Sequence, residues 1–206
     1  MAVSIWKALA IPVLASQSPT RRKLLADVGI GVEAVSPNVD ERAIEKRLRE
    51  ARVGAAGVAR ELARAKAEAV SHLYPGRWVI AADQTLEAGG EQFHKPNDAT
   101  EARLQLRALS GRSHELHAAV CCTFNGAVEF ETVETALMSM RSLSDGFLAD
   151  YLALAGPSVS SSVGGYQVEG LGLHLFEAID GAHSTILGLP LLPVLAFFRS
   201  VGALHE

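Results

Sequence analysis

Apolar positions fall in two rhythms along this chain: unbroken runs of four to eight residues, and helical spacings bounded by caps. The run Ala10–Ala15 predicts a buried strand, and Ser18 stands where a helix cap would, with Pro19 at the first helical position and an end near Gly29. Gly31–Ser36 predicts a second short strand, stopped by Pro37, while Glu41–Glu50 is charged and its form stays open. Ala55–Leu73 is alanine-rich with helical periodicity and ends at Pro75-Gly76. Trp78–Ala82 predicts an apolar strand that delivers Asp83 at its end, and Leu86–Phe93 a hairpin around Gly89-Gly90. A helix follows over Asp98–Leu109, with Asp98 as cap and its end near Gly111. His114–Phe124 and Val128–Met140 read as two long strands around Asn125-Gly126, a type I′ turn signal. Ser144 would cap a helix to Ala155, Gly164–Gly172 is a glycine-rich loop, and Leu187–Leu195 runs into a C-terminal helix through Phe198.

Helices and strands alternate and hairpins intervene, so the expected class is α/β with a mixed sheet. The 206 residues, 49% hydrophobic and 20% charged, suit a packed globular core. That length fits one domain over 1–206, or two small lobes sharing a cleft. A net charge of −4 argues against nucleic-acid binding over a wide surface and leaves room for a local basic pocket. Cys121 and Cys122 are adjacent and cannot build an ordinary disulfide framework, which points to a reducing, cytoplasmic setting. Met1 to Ser16, apolar with Lys7 its one lysine, has the outline of a signal peptide. The single cation, and the absence of secreted-type cysteines, favour a buried first strand instead. No apolar segment reaches the roughly 20 residues a membrane span needs.

The densest chemistry lies in Leu14-Ala15-Ser16-Gln17-Ser18-Pro19-Thr20-Arg21-Arg22-Lys23. A strand, a tight loop with hydroxyls and a cation-rich helix start make a construction suited to an anion, phosphate above all. Asp83, at the edge of an apolar strand, is the best single candidate for catalysis, since ligands of open α/β sheets bind outside strand carboxyl ends. Its plain alternative is an aspartate capping local backbone N–H groups. Glu41 and Asp83 together could hold Mg²⁺, whereas Asp40 reads as part of a solvated turn. Lys66, set among alanines, reads alone as a surface lysine, and Lys95 as a loop lysine that Pro96 holds in extended geometry. The glycines of Glu169-Gly170-Leu171-Gly172 suit either close approach to a ligand or ordinary turns. The chain has no Walker loop, no GxGxxG after a strand, no CxxC and no HExxH. The seven histidines lack metal-ligand spacing, and His114 and His117 read as structural.

In order along the chain, these pieces resemble the Maf family of nucleoside triphosphate pyrophosphatases. The resemblance runs from Leu14 to Gly202. It rests on the Leu-Ala-Ser-x-Ser-Pro-x-Arg opening, Val39-Asp40-Glu41, the lysine helix, Ala82-Asp83-Gln84 and Lys95-Pro96. Leu109-Ser110-Gly111-Arg112, Tyr166-Gln167-Val168-Glu169-Gly170 and Gly188-Leu189-Pro190-Leu191 continue the series. It implies a twisted mixed sheet flanked by helices, in two lobes around a central cleft, a fold similar to that of inosine triphosphatases. Asp83 falls on the catalytic aspartate, Glu41 and Asp83 on the metal ligands, and Ser16, Arg21, Lys66, Gln84, Lys95 and Glu169 on substrate-binding positions. A divalent cation, Mg²⁺ or Mn²⁺, is the implied cofactor, and a homodimer is a common assembly of such proteins.

The implied reaction is hydrolysis between the α- and β-phosphates, giving a nucleoside monophosphate and pyrophosphate. Thr20 stands where many members carry the first arginine of Ser-Pro-Arg-Arg. That slot, Ala82-Asp83-Gln84 and Leu175-Phe176-Glu177 resemble the branch preferring 7-methyl-GTP over the one preferring dTTP and UTP. A rival expectation is a non-catalytic nucleotide-binding regulator of cell division. It would bind without releasing pyrophosphate and would have no need to keep both acids.

Overall fold

The computed structural model describes residues 5–205, so Met1–Ser4 of the leader-like reading lie outside the described residues. Seven strands and seven α-helices occur among the described residues. They are β1 (Val13–Leu14), α1 (Pro19–Asp27), β2 (Glu33–Ala34), α2 (Glu41–Glu50), α3 (Ala55–Ser71), β3 (Trp78–Ala88) and β4 (Glu91–Phe93). After these come α4 (Ala99–Leu109), β5 (Ser113–Phe124), β6 (Ala127–Met140), α5 (Asp145–Ala155), β7 (Phe176–Asp180), α6 (His183–Ile186) and α7 (Leu191–Ser200). The strand order is β2-β1-β3-β5-β6-β7, with β4 also paired to β3. β1 pairs in parallel with β2 and β3, whereas β3–β4 and β6–β7 are antiparallel, so the sheet is mixed and the class is α/β.

The caps sit where the sequence puts them. Ser18, Asp98 and Ser144 each accept a backbone N–H from the first turn of α1, α4 and α5, satisfying a donor the helix start leaves orphaned. Asn125 and Gly126 take φ of 50° and 85°, the left-handed pair a type I′ turn needs between β5 and β6. The charged stretch Glu41–Glu50 is a helix. Asp40 caps it, and Ile44 and Leu48, four residues apart, pack on Val58 and Leu62 of α3.

Three expectations need correction. The strand expected to stop at Ala82 continues to Ala88, because Thr85 and Leu86 are buried on opposite faces of it and β4 pairs with its far end. The Gly164–Gly172 region is not plain loop: it contains 3-10 turns at Val163–Gly165 and Leu171–Leu175, and β7 follows directly. The C-terminal helix begins at Leu191, because Gly188 ends a separate short helix first.

The chain divides into two compact units. One takes the described residues up to Asp83, Ala118–Glu134, and those from His183 onward; the other takes Gln84–His117 and Thr135–Ala182. In the first, strand residues alternate between two cores. Leu14, Ile80, Ala82, Val120 and Cys122 meet Leu25 of α1 and Val194 and Phe198 of α7. Val13, Ala15, Val79, Ala81, Ala119 and Cys121 meet Ala59, Ala63, Ala67 and Val70 of α3. Burial on both faces is why these strands read as unbroken apolar runs. Trp6 and Trp78 close the α7 side, their rings edge-on to Phe198 at 5.1 and 5.6 Å. The second unit packs the buried His114 and Tyr166 against the half-buried Phe176. The Tyr166 and Phe176 rings lie 4.9 Å apart at 76°, and His114 Nε2 shares a 2.6 Å hydrogen bond with the Tyr166 hydroxyl.

Candidate active site

Strand parity decides where Asp83 points. Val79 and Ala81 face α3, so Asp83, two residues further on, faces it too. Lys66 lies on the inward side of α3 between Ala63 and Ala67, whose small side chains let the helix lie close to the sheet. Its Nζ stands 2.5 Å from Asp83 Oδ1 and 2.9 Å from Glu41 Oε2. Glu41 arrives as the first residue of α2, just after the Asp40 cap. The lysine that reads as a surface residue in isolation is therefore buried and ion-paired to both candidate acids. Asp83 lies within β3, three residues beyond Ile80, where the parallel pairing with β1 has ended. There the chain of β1 turns off into Ser16, which opens the side of β3 to a site.

Arg21 enters from the first turn of α1. Its Nε donates to the Gly188 carbonyl at 2.9 Å and its Nη1 to Ser16 Oγ at 3.4 Å. Ser16 Oγ also accepts the Ser18 N–H, which ties the loop to the helix start. Burial lowers the Arg21 pKa, against the pull of the Asp83 and Glu41 charges. Burial likewise raises the Asp83 carboxyl above its ordinary range, opposed by Lys66 and Arg21 and reinforced by Glu41.

A pocket of about 300 Å³ opens beside these groups, lined by Ala15, Ser16, Gln17, Ser36–Val39, Glu41 and Lys66. Asp83 is not one of its walls and meets it through Lys66. Of the Ser36–Val39 wall, Val39 belongs to the Val39-Asp40-Glu41 motif, and Asn38 is the residue the sequence reading misses. Its signal is the Pro37 stop just before it, and it takes a left-handed φ of 50°. Gly188 lies in the Gly188-Leu189-Pro190-Leu191 motif, and nothing local announces its contact with Arg21.

Ser16, Arg21, Glu41, Lys66 and Asp83 all belong to the first unit. Gln84, Lys95 and Glu169 belong to the second. Gln84 is half-buried, and alternation along β3 sends it to the opposite face from Asp83. Lys95 is exposed beyond β4, before the buried Pro96, and Glu169 is exposed in the turn where Gly170 N–H bonds Gln167 O.

Among the described residues, no group of three or more His, Cys, Asp or Glu side chains is placed to hold a metal ion. Glu41 and Asp83, converging on one nitrogen, form a two-carboxylate donor set. That set fits Mg²⁺ or Mn²⁺ if substrate oxygens and water complete the shell, the usual arrangement for Mg²⁺ on phosphates. No helix of the described residues is long and apolar enough to cross a membrane.

Comparison with known proteins gives the chain a lineage. Residues 12–201 match the family described as Maf-like protein. A protein of Rhodopseudomonas palustris (strain HaA2) named nucleoside triphosphate pyrophosphatase is 51% identical over 199 residues, covering 96% of this chain and 97% of its own. One of the same name from Nitrobacter hamburgensis is 48% identical over 202 residues, covering 98% and 99%. A 7-methyl-GTP pyrophosphatase of Mesorhizobium japonicum is 49% identical over 192 residues, covering 93% and 96%. A family match spanning nearly the whole chain, with relatives of this closeness from end to end, means that the chain belongs to the Maf family.

Proposed function

We propose that the chain is a nucleoside triphosphate pyrophosphatase, a hydrolase that splits the α–β anhydride into nucleoside monophosphate and pyrophosphate. The observation that carries this reading is Lys66 Nζ held between Glu41 and Asp83 on the wall of an open pocket. The names of the full-length relatives support the same reaction.

A triphosphate concentrates several negative charges in a small space, and the site answers with fixed cations. Arg21, anchored on one edge, keeps donors for a bidentate phosphate contact, and Lys66 adds a point charge. Asp83, with its carboxyl raised by burial, is suited to hold the attacking water and take its proton. Glu41 and Asp83 are the residues that would hold a divalent ion, which would supply charge neutralisation on the phosphates. Charge focused in one pocket lets a chain of net charge −4 accept a polyanion. Within this class we favour 7-methyl-GTP, on Thr20 in the first arginine slot and on the name of the Mesorhizobium japonicum relative.

A panel of ordinary nucleoside triphosphates and 7-methyl-GTP, with Mg²⁺ or Mn²⁺, tests the reading when pyrophosphate is resolved from orthophosphate. Equal amounts of monophosphate and pyrophosphate are expected, with 7-methyl-GTP turned over fastest. Orthophosphate alone would overturn α–β cleavage. Fastest turnover of dTTP and UTP would overturn the base preference, and binding without hydrolysis would leave a regulator.

A further inference from the structure

We propose that Gly188 is a positioning residue for Arg21: the turn it closes fixes the edge from which the guanidinium meets substrate phosphate. The inference rests on the reading of Arg21 as a phosphate contact. α6 spans only His183–Ile186 and ends in a paired cap. The Leu189 N–H bonds Ser184 O and the Gly188 N–H bonds Thr185 O, both at 2.9 Å, with Gly188 left-handed at φ 87°. This is the double hydrogen-bond pattern that closes a helix through a left-handed residue, and it favours glycine. The cap consumes the Gly188 N–H and leaves its carbonyl to accept Arg21 Nε–H at 2.9 Å.

The turn is itself tied down. The Thr185 hydroxyl donates to Glu134 of β6, and Leu189 is buried in the same core as Leu25 of α1, the helix that carries Arg21. Arg21 is thus held at Nε by the backbone oxygen of a capped, packed turn and at Nη1 by Ser16. Among the described residues no other partner takes its remaining donors, the second Nη1 hydrogen and the Nη2 pair. Those form the edge that a phosphate's two oxygens match. A lysine would carry all three of its donors on one nitrogen and lacks the planar two-nitrogen fork that matches two phosphate oxygens.

A double-mutant cycle on the full chain tests this, with Gly188→Ala and Arg21→Lys alone and together, reading kcat and KM for pyrophosphate release alongside the melting temperature. Gly188→Ala should lower kcat/KM about tenfold in the wild-type background and less than about twofold on top of Arg21→Lys, because the contact it serves is already gone. Its loss of melting temperature should be equal in both backgrounds. Losses of kcat/KM that multiply would overturn the proposal and leave Gly188 a purely structural glycine. If Gly188→Ala does not fold, Thr185→Val unties the same turn from Glu134 and keeps the left-handed backbone, and the same coupling is expected. A wild-type protein that releases no pyrophosphate would fail the functional reading separately. The cycle is then read on the Kd for inorganic tripolyphosphate, where additive losses overturn the positioning role.

Discussion

The Lys66 ammonium lies 2.5 Å from the Asp83 carboxylate, with 8% and 10% of the two side chains exposed. Glu41, on the far side of the same ammonium, is 45% exposed. The two acids therefore differ in environment although they share one cation. Asp83 is buried and has a raised pKa, whereas Glu41 meets solvent at the pocket wall.

Replacing Lys66 by Met should destabilise the fold by about 3 kcal/mol, the low end for breaking a buried ion pair. Asp83 can soften the loss by taking a proton, since burial already raises its pKa. Adding Asp83→Asn to Lys66→Met removes the orphaned acid and should recover part of the stability. Urea unfolding of the two variants at neutral pH checks the order.

Asp83→Asn alone should keep the fold, because the amide oxygen can still accept from Lys66. Hydrolysis should fall about 10²- to 10⁴-fold, the range for losing a positioned proton acceptor. Steady-state turnover beside a far-ultraviolet circular dichroism spectrum decides it; near-wild-type turnover would remove Asp83 from the chemistry.

His114 should make the protein acid-sensitive. Burial holds its pKa down from 6.5 to about 4, and among the described residues its Nδ1 has no hydrogen-bond partner. The folded state thus binds the proton less readily than the unfolded chain. The stability this group provides is whole above pH 6.5 and drains away as pH falls toward 4. The difference amounts to about 3 kcal/mol. Denaturant midpoints at pH 7 and pH 4 should show wild type losing that much relative to His114→Gln, which can bond Tyr166 without titrating.

Gly126→Ala should cost about 1–2 kcal/mol. The position has φ 85°, and an added Cβ would come within 2.9 Å of His72 Cε1. Below the melting transition kcat and KM should match wild type, because none of the site side chains sits on the β5–β6 turn. A lower melting temperature with unchanged kinetics is the expected pair of results.

Most of the local structure could be read from residues that act locally. Ser18, Asp98 and Ser144 are caps because their oxygens reach the next N–H groups, and Asn125-Gly126 is a turn because both residues tolerate left-handed backbone. The form of Glu41–Glu50 was hidden because only Ile44 and Leu48 of that helix pack inward, and the rest of it is charged or small. Lys66 was hidden for a related reason. Alanine neighbours look the same on a solvated helix and on one pressed against a sheet, and only the parity of β3 distinguishes them. The link from Gly188 to Arg21 spans 167 positions, beyond any local pattern. Motif order along the chain located Ser16, Arg21, Glu41 and Asp83; geometry showed which of them touch.

The adjacent cysteines on β5 have an experimental consequence. Alternation places Cys121 in the layer against α3 and Cys122 in the layer against α1 and α7, and burial raises both thiols, Cys121 to about 12. Neither can react while its layer is closed. The chain carries a native stopwatch in each layer: the labelling rate of each sulfur, followed by peptide mass, times the opening of its own side of the sheet.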